Sequence, residues 1–313
     1  MSIDFIIAAF ITVVGLTTPI LLAGLGELVV EKSGVLNLGV EGMMLIGAVC
    51  GFALTYTYGF DYPGIAPWGG ILAAAAGGAL SALLFGFLVL ELNSNQVATG
   101  LALAIFGTGL SSLIGQGFTG MIITPFGSIF PDALATGRYS QVIFGYSPLV
   151  YFALAMVPAV HWFLNRTRAG LILRAVGEND LSAHSIGYSV KQVRYAAIAF
   201  GGAMAGIGGA YFSMVITPMW AEKMTAGRGW IALALVVFAG WRTGRLLAGA
   251  FFFGVLMTLE LYAKASGFSL VPSEVWAAMP YLMTVVALTL ISRRETAGGN
   301  APACLGKPFL PTA

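Results

Sequence analysis

Glu41 is the residue in this sequence best placed to do chemistry. It lies in the run Glu31-Lys32-Ser33-Gly34-Val35-Leu36-Asn37-Leu38-Gly39-Val40-Glu41-Gly42, where polar residues and glycines interrupt an apolar region. An ionised carboxylate at membrane depth costs about 2.5–3.5 kcal/mol on insertion scales, so Glu41 needs a partner or water. Backbone that is not helical survives at that depth only where protein or a water-filled cavity covers it. One reading is a discontinuous helix start around Gly34 to Gly42 that presents Asn37 and Glu41 to a pathway, as broken helices do in transporters. The other is structural: Glu41 pairs with Lys32 or caps a neighbouring helix. Both stay open at this level.

The two histidines, His161 and His184, are the remaining acid–base candidates. An intramembrane enzyme acting on a lipid-linked substrate would have to bring one of them to Glu41, yet His184 falls on a connector and Glu41 on a span. Neither has the company of a metal site: His161 reads as a span-end residue and His184 as a surface residue. The sequence contains no H-E-x-x-H and no G-x-S-x-G, so no catalytic and no metal-binding residue is assigned. It also contains no G-x-x-x-x-G-K-[ST] phosphate loop, so any ATP hydrolysis belongs to another polypeptide.

Two further segments break the apolar pattern. The connector from Asn165 to Arg194 contains Arg174-Ala175-Val176-Gly177-Glu178-Asn179-Asp180-Leu181-Ser182-Ala183-His184-Ser185-Ile186-Gly187. Asn179 or Asp180 can cap a short helix there, and Gly187 can stop it in a left-handed turn. A short capped helix between two spans suits a docking element; an ordinary solvated basic loop is the plainer alternative. The other segment is Thr225-Ala226-Gly227-Arg228-Gly229-Trp230-Ile231-Ala232-Leu233-Ala234, followed by Gly240-Trp241 and a basic turn at Arg242 and Arg245. Its small-residue start echoes the one after Gly34, and paired irregularities of this kind point towards a binding site. Glu260 and Lys264 are spaced to pair along one helix.

The elements that must position these residues are membrane helices. Of 313 residues, 58% are hydrophobic and 9% charged, where a soluble domain carries about a quarter charged residues. A span needs about 20 apolar residues. Breaking the chain at charges and Gly/Pro clusters gives nine spans, at 4–29, 35–58, 67–91, 95–116, 147–165, 194–216, 228–240, 246–264 and 276–292, within a range of about 8–10. The segment 228–240 is too short for a full crossing and reads as a broken helix. The start of the chain is not basic and its apolar run continues to about Val30, so the first segment stays as a helix and not as a cleaved signal. The fold expected is all-α: a polytopic transmembrane bundle with discontinuous helices, in one domain over 1–295, with a flexible cytoplasmic tail over 296–313.

Lys32, Arg166, Arg168, Arg174, Lys191, Arg194, Arg242, Arg245, Arg293, Arg294 and Lys307 fall on one side of such a bundle, and only Arg138, Lys223, Arg228 and Lys264 on the other. That asymmetry predicts an outside N-terminus, with the loop 166–194 and the C-terminus in the cytoplasm. The net charge of +2 is spread over short connectors and offers no basic face for nucleic acid. Cys50 and Cys304 form no disulfide framework. Glycines at helix-packing spacing, Gly47 with Gly51, Gly202 with Gly206, and Ala205 with Gly209, predict close helix contacts.

The run Ser33 to Met44, the segment Arg174 to Gly187, and Gly227-Arg228-Gly229-Trp230-Ile231-Ala232-Leu233-Ala234 together resemble permeases of bacterial ABC importers. Within these the chain is similar to the branch related to ribose and branched-chain amino-acid permeases, particularly the simple-sugar and nucleoside importers served by basic-membrane-protein-type lipoproteins. The resemblance covers about residues 5 to 292, with its motifs in order. It departs after Trp241, where similar permeases often carry a proline and this chain has Arg242 and Thr243. The resemblance implies a paralogous second permease or a second copy, an ABC ATPase subunit that binds ATP and Mg, and an extracytoplasmic substrate-binding lipoprotein; this chain binds no cofactor. It matches Glu178 to Gly187 with a cytoplasmic coupling helix, with Glu178, Asp180, Ala183 and Gly187 as the residues that couple to the ATPase. The expected mechanism is alternating access in the inner membrane, along a path lined by Asn37, Glu41, Gln96 and Thr99. Neutral polar groups there suit a small uncharged hydroxylated solute, a nucleoside or a simple sugar. A secondary transporter or a passive channel is the alternative within transport.

Overall fold

The computed structural model describes residues 3–265 and 301–310, together with residues 275, 278, 279, 282–286 and 289. Its helices follow the apolar runs: α1 Ile3–Lys32, α2 Val40–Gly59, α3 Ala66–Leu90, α4 Gln96–Gly115, the short α5 Asp132–Ala135 and α6 Gln141–Phe144, α7 Pro148–Arg166, α8 Arg168–Glu178, α9 Asp180–Ser185, α10 Val190–Tyr211, α11 Arg228–Phe238 and α12 Thr243–Ala265. A 3₁₀ turn, Gln116–Phe118, prolongs α4, and a π turn, Phe212–Ile216, prolongs α10. Among the described residues 7 helices are long and apolar enough to cross a membrane: α1, α2, α3, α4, α7, α10 and α12. The short expected segment at 228–240 is α11, and the span expected at 276–292 lies largely outside the described residues. The bundle is all-α; one isolated bridge, Ile122 to Met219, joins two connectors.

Helix α10 is the axis of the bundle, with α1, α2 and α3 around it. Lipid offers helices little hydrophobic reason to associate, so close backbone approach must supply the contact. Gly206 is where three helices meet: a side chain there would run into the Ala74 carbonyl of α3, and a side chain on Gly47 of α2 would run into the Gly206 backbone. One turn further on, Gly209 lies against the Met44 carbonyl of α2. Charged pairs also form on the periphery, one within a helix and one between distant parts of the chain. Lys264 meets Glu260 at 2.7 Å along α12, as their spacing predicts, and Arg138 meets Asp4 at 2.8 Å.

Where a flexible tail is expected, residues 301–310 are docked. Cys304 N donates to the Gly177 carbonyl (2.9 Å), Gly306 N to the Gly34 carbonyl (3.2 Å), and Gln96 Nε2 to the Lys307 carbonyl (3.3 Å). Phe309 is buried with Val176, Ala183 and Val190.

Candidate functional site

Residues 33–39, between α1 and α2, do not continue either helix. Gly34 takes φ +90°, a left-handed turn that glycine adopts without steric cost. Backbone donors of this stretch that lie outside both helices are met by side chains: Leu36 N reaches Gln96 Oε1 (2.8 Å), Asn37 N reaches Glu27 Oε1 (3.3 Å), and Gly39 N reaches Asn37 Oδ1 (2.9 Å). The stretch descends beside α4. Leu38 lies against Gly100, and Gly42 against Leu103 and Ala104. At 1.5 Å per residue, Gly100 and Ala104 stand about 6 and 12 Å along α4 from Gln96, so α2 begins well inside the bundle.

Glu41, in the first turn of α2, is buried, and its carboxylate closes the start of α11. Thr225 Oγ1 and Gly227 N donate to Oε1 at 2.6 and 2.8 Å, and Gly229 N donates to Oε2 at 2.7 Å. Gly227, at φ +79°, precedes Arg228 and has no side chain with which to cap the helix itself. A carboxylate from another helix does that work, and the partial positive charge of the helix N-terminus stabilises it. Gly229 permits the approach: a Cβ there would clash with the Glu41 backbone. The two irregular starts that echo each other in sequence are therefore in contact, and Glu41 is the contact. Of the alternatives open for Glu41, the partner seen is a neighbouring helix and not Lys32.

The other residues expected along a path surround the same stretch. Asn37 is buried, with Nδ2 3.4 Å from Met43 Sδ. Gln96 spans from Leu36 to the docked tail, and Thr99, half-buried, shares a 2.9 Å hydrogen bond with Ser94.

The connector after α7 forms two helices where one short helix is expected. Thr167 Oγ1 accepts from Gly170 N (3.0 Å) to cap α8, and Asn179 Oδ1 accepts from Ser182 N (2.9 Å) to cap α9. Gly187 at φ +94° ends the second, with Tyr188 N on the Ala183 carbonyl (3.1 Å). The four residues expected to couple divide by face. Asp180 and Ala183 point into the protein, while Glu178 and Gly187 are exposed. Leu181 and Ile186 add an apolar component to the outer face, at 45% and 72% exposure.

Residues 9–288 match the family described as branched-chain amino acid transport system / permease component. The chain belongs to this family. Among its relatives, the putative glucose ABC transporter permease protein TsgC13 of Haloferax volcanii is 39% identical over 92% of this chain and 93% of its own length. The guanosine ABC transporter permease protein NupQ of Bacillus subtilis is 31% identical over 93% of each chain. The nucleoside ABC transporter permease protein NupC of Lactococcus lactis is 28% identical over 88% of this chain and 89% of its own. In both Haloferax volcanii and Bacillus subtilis a second, distinct ABC permease also matches. The chain is a permease subunit of an ABC importer, a multi-pass membrane protein and not an enzyme.

Three buried ionisable residues of this permease carry structure that the sequence motifs do not announce. Glu27 on α1 holds the Asn37 backbone. Glu31, one turn on, accepts from the Trp241 indole N–H, anchoring the turn between α11 and α12. Arg194 on α10 is fully buried; Nη2 meets Asp180 Oδ2 at 3.0 Å and Nε donates to the Ser33 carbonyl at 3.3 Å. An acid within an apolar span is a signal in itself, and it applies to Glu27 and Glu31. Arg194 carries no such signal, because at the end of a span it reads as one more positive-inside charge.

Proposed function

We propose that this permease carries a small neutral hydroxylated solute, a nucleoside or a simple sugar, into the cytoplasm by alternating access. One observation carries the reading: Glu41 joins the two irregular segments, 33–41 and 225–229, inside the bundle. Discontinuous helices that meet at depth are where transporters build substrate sites. The path runs beside this junction, past Asn37, Glu41, Gln96 and Thr99. The depth acids favour a neutral cargo: Glu27, Glu31 and Glu41 each accept from N–H or O–H donors of the chain itself, which suits a bonded scaffold better than an ion route. The printed names of the relatives, glucose, guanosine and nucleoside permeases, agree with this solute class.

In this reading residues 1–295 form one transmembrane domain, with the N-terminus outside and the C-terminus in the cytoplasm. The outer face of α9 seats on an ABC ATPase subunit that binds ATP and Mg; a paralogous permease completes the core, and an extracytoplasmic lipoprotein delivers the solute. The matches to two permeases in one organism support the paralogous pair. The test is uptake into vesicles holding the assembled transporter. A hydrolysis-dead ATPase should abolish uphill accumulation of the solute that the lipoprotein binds; accumulation that persists would overturn the ATP-driven reading in favour of a secondary transporter.

A further inference from the structure

The docked segment 301–310 holds two parts of the permease at once. Cys304 and Phe309 lie on the α8–α9 side: Cys304 N bonds the Gly177 carbonyl, its thiol lies 3.6 Å from the Glu178 carbonyl, and the Phe309 ring packs on Val176, Ala183 and Val190 and meets the His184 ring edge-on at 5.5 Å. Gly306 and Lys307, between them, lie on the stretch that leads to Glu41. Gly306 turns at φ +74° beside Leu36 and donates to the Gly34 carbonyl. The Lys307 carbonyl accepts from Gln96 Nε2, and Oε1 of the same amide accepts from Leu36 N. Beneath the segment the two parts already touch. A Cβ on Gly177 would run into the Lys32 carbonyl, and a Cβ on Gly34 would stand 3.4 Å from Gly177 Cα, 3.4 Å from Cys304 Cβ and 3.1 Å from Arg194 Nη2.

Ordering a segment that is neither helix nor strand costs backbone entropy. Covering the apolar patch of α8 and α9 needs only Phe309, whereas the bonds of residues 304–307 all end on backbone or amide groups at the junction of the two parts. A backbone carbonyl cannot change rotamer to escape its donor, so such bonds transmit position. A displacement of α9 moves Phe309 and Cys304, and through Gly306 and Lys307 it reaches Gly34 and Leu36. We propose that residues 304–309 are the positioning element of coupling: a clamp that makes the α8–α9 unit and the stretch 33–37 move together, so that a push on α9 arrives at the solute path. The proposal rests on the reading above in which α9 seats the ATPase, and adds to it a part played by the end of the chain.

The test uses the assembled transporter in vesicles, as wild type, as Phe309→Ala, as Phe309→Leu, and with a permease chain ending at residue 300. Thr57→Ala is the control, an exposed residue of α2 whose hydroxyl bonds within its own helix. Retained ATPase, melting temperature, uptake and hydrolysis are measured, and the deciding quantity is solute taken up per ATP hydrolysed. A segment that only covers apolar surface would lower the melting temperature when lost and leave that ratio alone. The clamp predicts a fall of about fivefold or more in Phe309→Ala and in the shortened chain, with the ATPase still bound and still hydrolysing. Phe309→Leu, which keeps an apolar side chain in the cluster, and Thr57→Ala should couple as the wild type does. A wild-type ratio in the shortened chain, or in Phe309→Ala where that chain does not assemble, overturns the proposal. So does loss of the bound ATPase, which would make the segment a docking surface and not a clamp. Uphill uptake by the wild type without hydrolysis is a different failure: it removes the ATP-driven reading, and the clamp with it.

Discussion

Arg194 and Asp180 form a buried ion pair, 3.0 Å from Nη2 to Oδ2, that fastens the six-residue helix α9 to the central helix α10. The same guanidinium bonds the Ser33 carbonyl, at the head of the stretch that leads to Glu41. A displacement of α9 is therefore felt at once by the stretch between α1 and α2, through one rigid planar group.

Removing one member of a buried pair leaves the other charge without compensation, at a cost of about 3–5 kcal/mol. Asp180→Asn should accordingly destabilise the permease by that order, since Arg194 is fully buried. Arg194→Met with Asp180→Leu should cost less than Asp180→Asn alone, because no lone charge remains. Thermal unfolding of the purified transporter measures the ranking, and equal losses in the single and double variants would show the pair to be unimportant.

Glu41→Gln retains a hydrogen-bonding side chain of the same length but loses the charge and an acceptor site facing the start of α11. Hydrogen bonds to a charged acceptor contribute about 1.5–3 kcal/mol each, so Glu41→Gln should destabilise by roughly one such bond and Glu41→Ala by considerably more. Uptake should fall in the same order as stability. Glu41→Gln with wild-type stability and no uptake would instead make Glu41 a proton carrier.

Outward changes on α9 should act in the opposite way. Leu181→Glu and Glu178→Lys alter exposed side chains, so the melting temperature of the permease should move little. Solute-stimulated ATP hydrolysis by the assembled transporter should be lost if this face seats the ATPase. Gly187→Val forces a β-branched residue into φ +94° and should both strain the turn and uncouple hydrolysis. Normal coupling in all three variants would remove the docking role from α9.

Phe309→Ala should loosen the docked tail. It deletes the aromatic ring packed on Val176, Ala183 and Val190, which in a well-packed site costs about 3 kcal/mol or more. Hydrogen exchange at the amides of α8 and α9 should quicken, while exchange in α2 and α3 stays unchanged.

The long spans were legible because each is an apolar run bounded by charge or glycine, and even the short α11 shows as a run too brief to cross. The polar, glycine-rich stretch before α2 was equally visible, as were the Asn179 cap and the Gly187 stop. The partners were not. Glu41 meets Gly227 and Gly229 across nearly two hundred residues, and no local pattern encodes that register. Arg194 looks like a solvated loop charge until the fold of 166–194 brings Asp180 to it. The tail looks free because Gly, Pro and Ala dominate its composition, yet three backbone and amide hydrogen bonds and one buried phenylalanine hold it. Helix α8 looks like loop in the sequence because its charged residues hide Leu173 and Val176, which are buried one turn apart.

The carboxylate of Glu41 also sets which two helix starts are held together. Its three hydrogen bonds together represent about 5 kcal/mol or more, a cost that separating the two segments would have to meet. The start of α2 and the start of α11 are thus fastened as one unit. Just ahead of α11, in the segment this carboxylate closes, Lys223 and Ala226 take φ +54° and +46°, a conformation that costs residues with side chains free energy and that the surrounding contacts must hold.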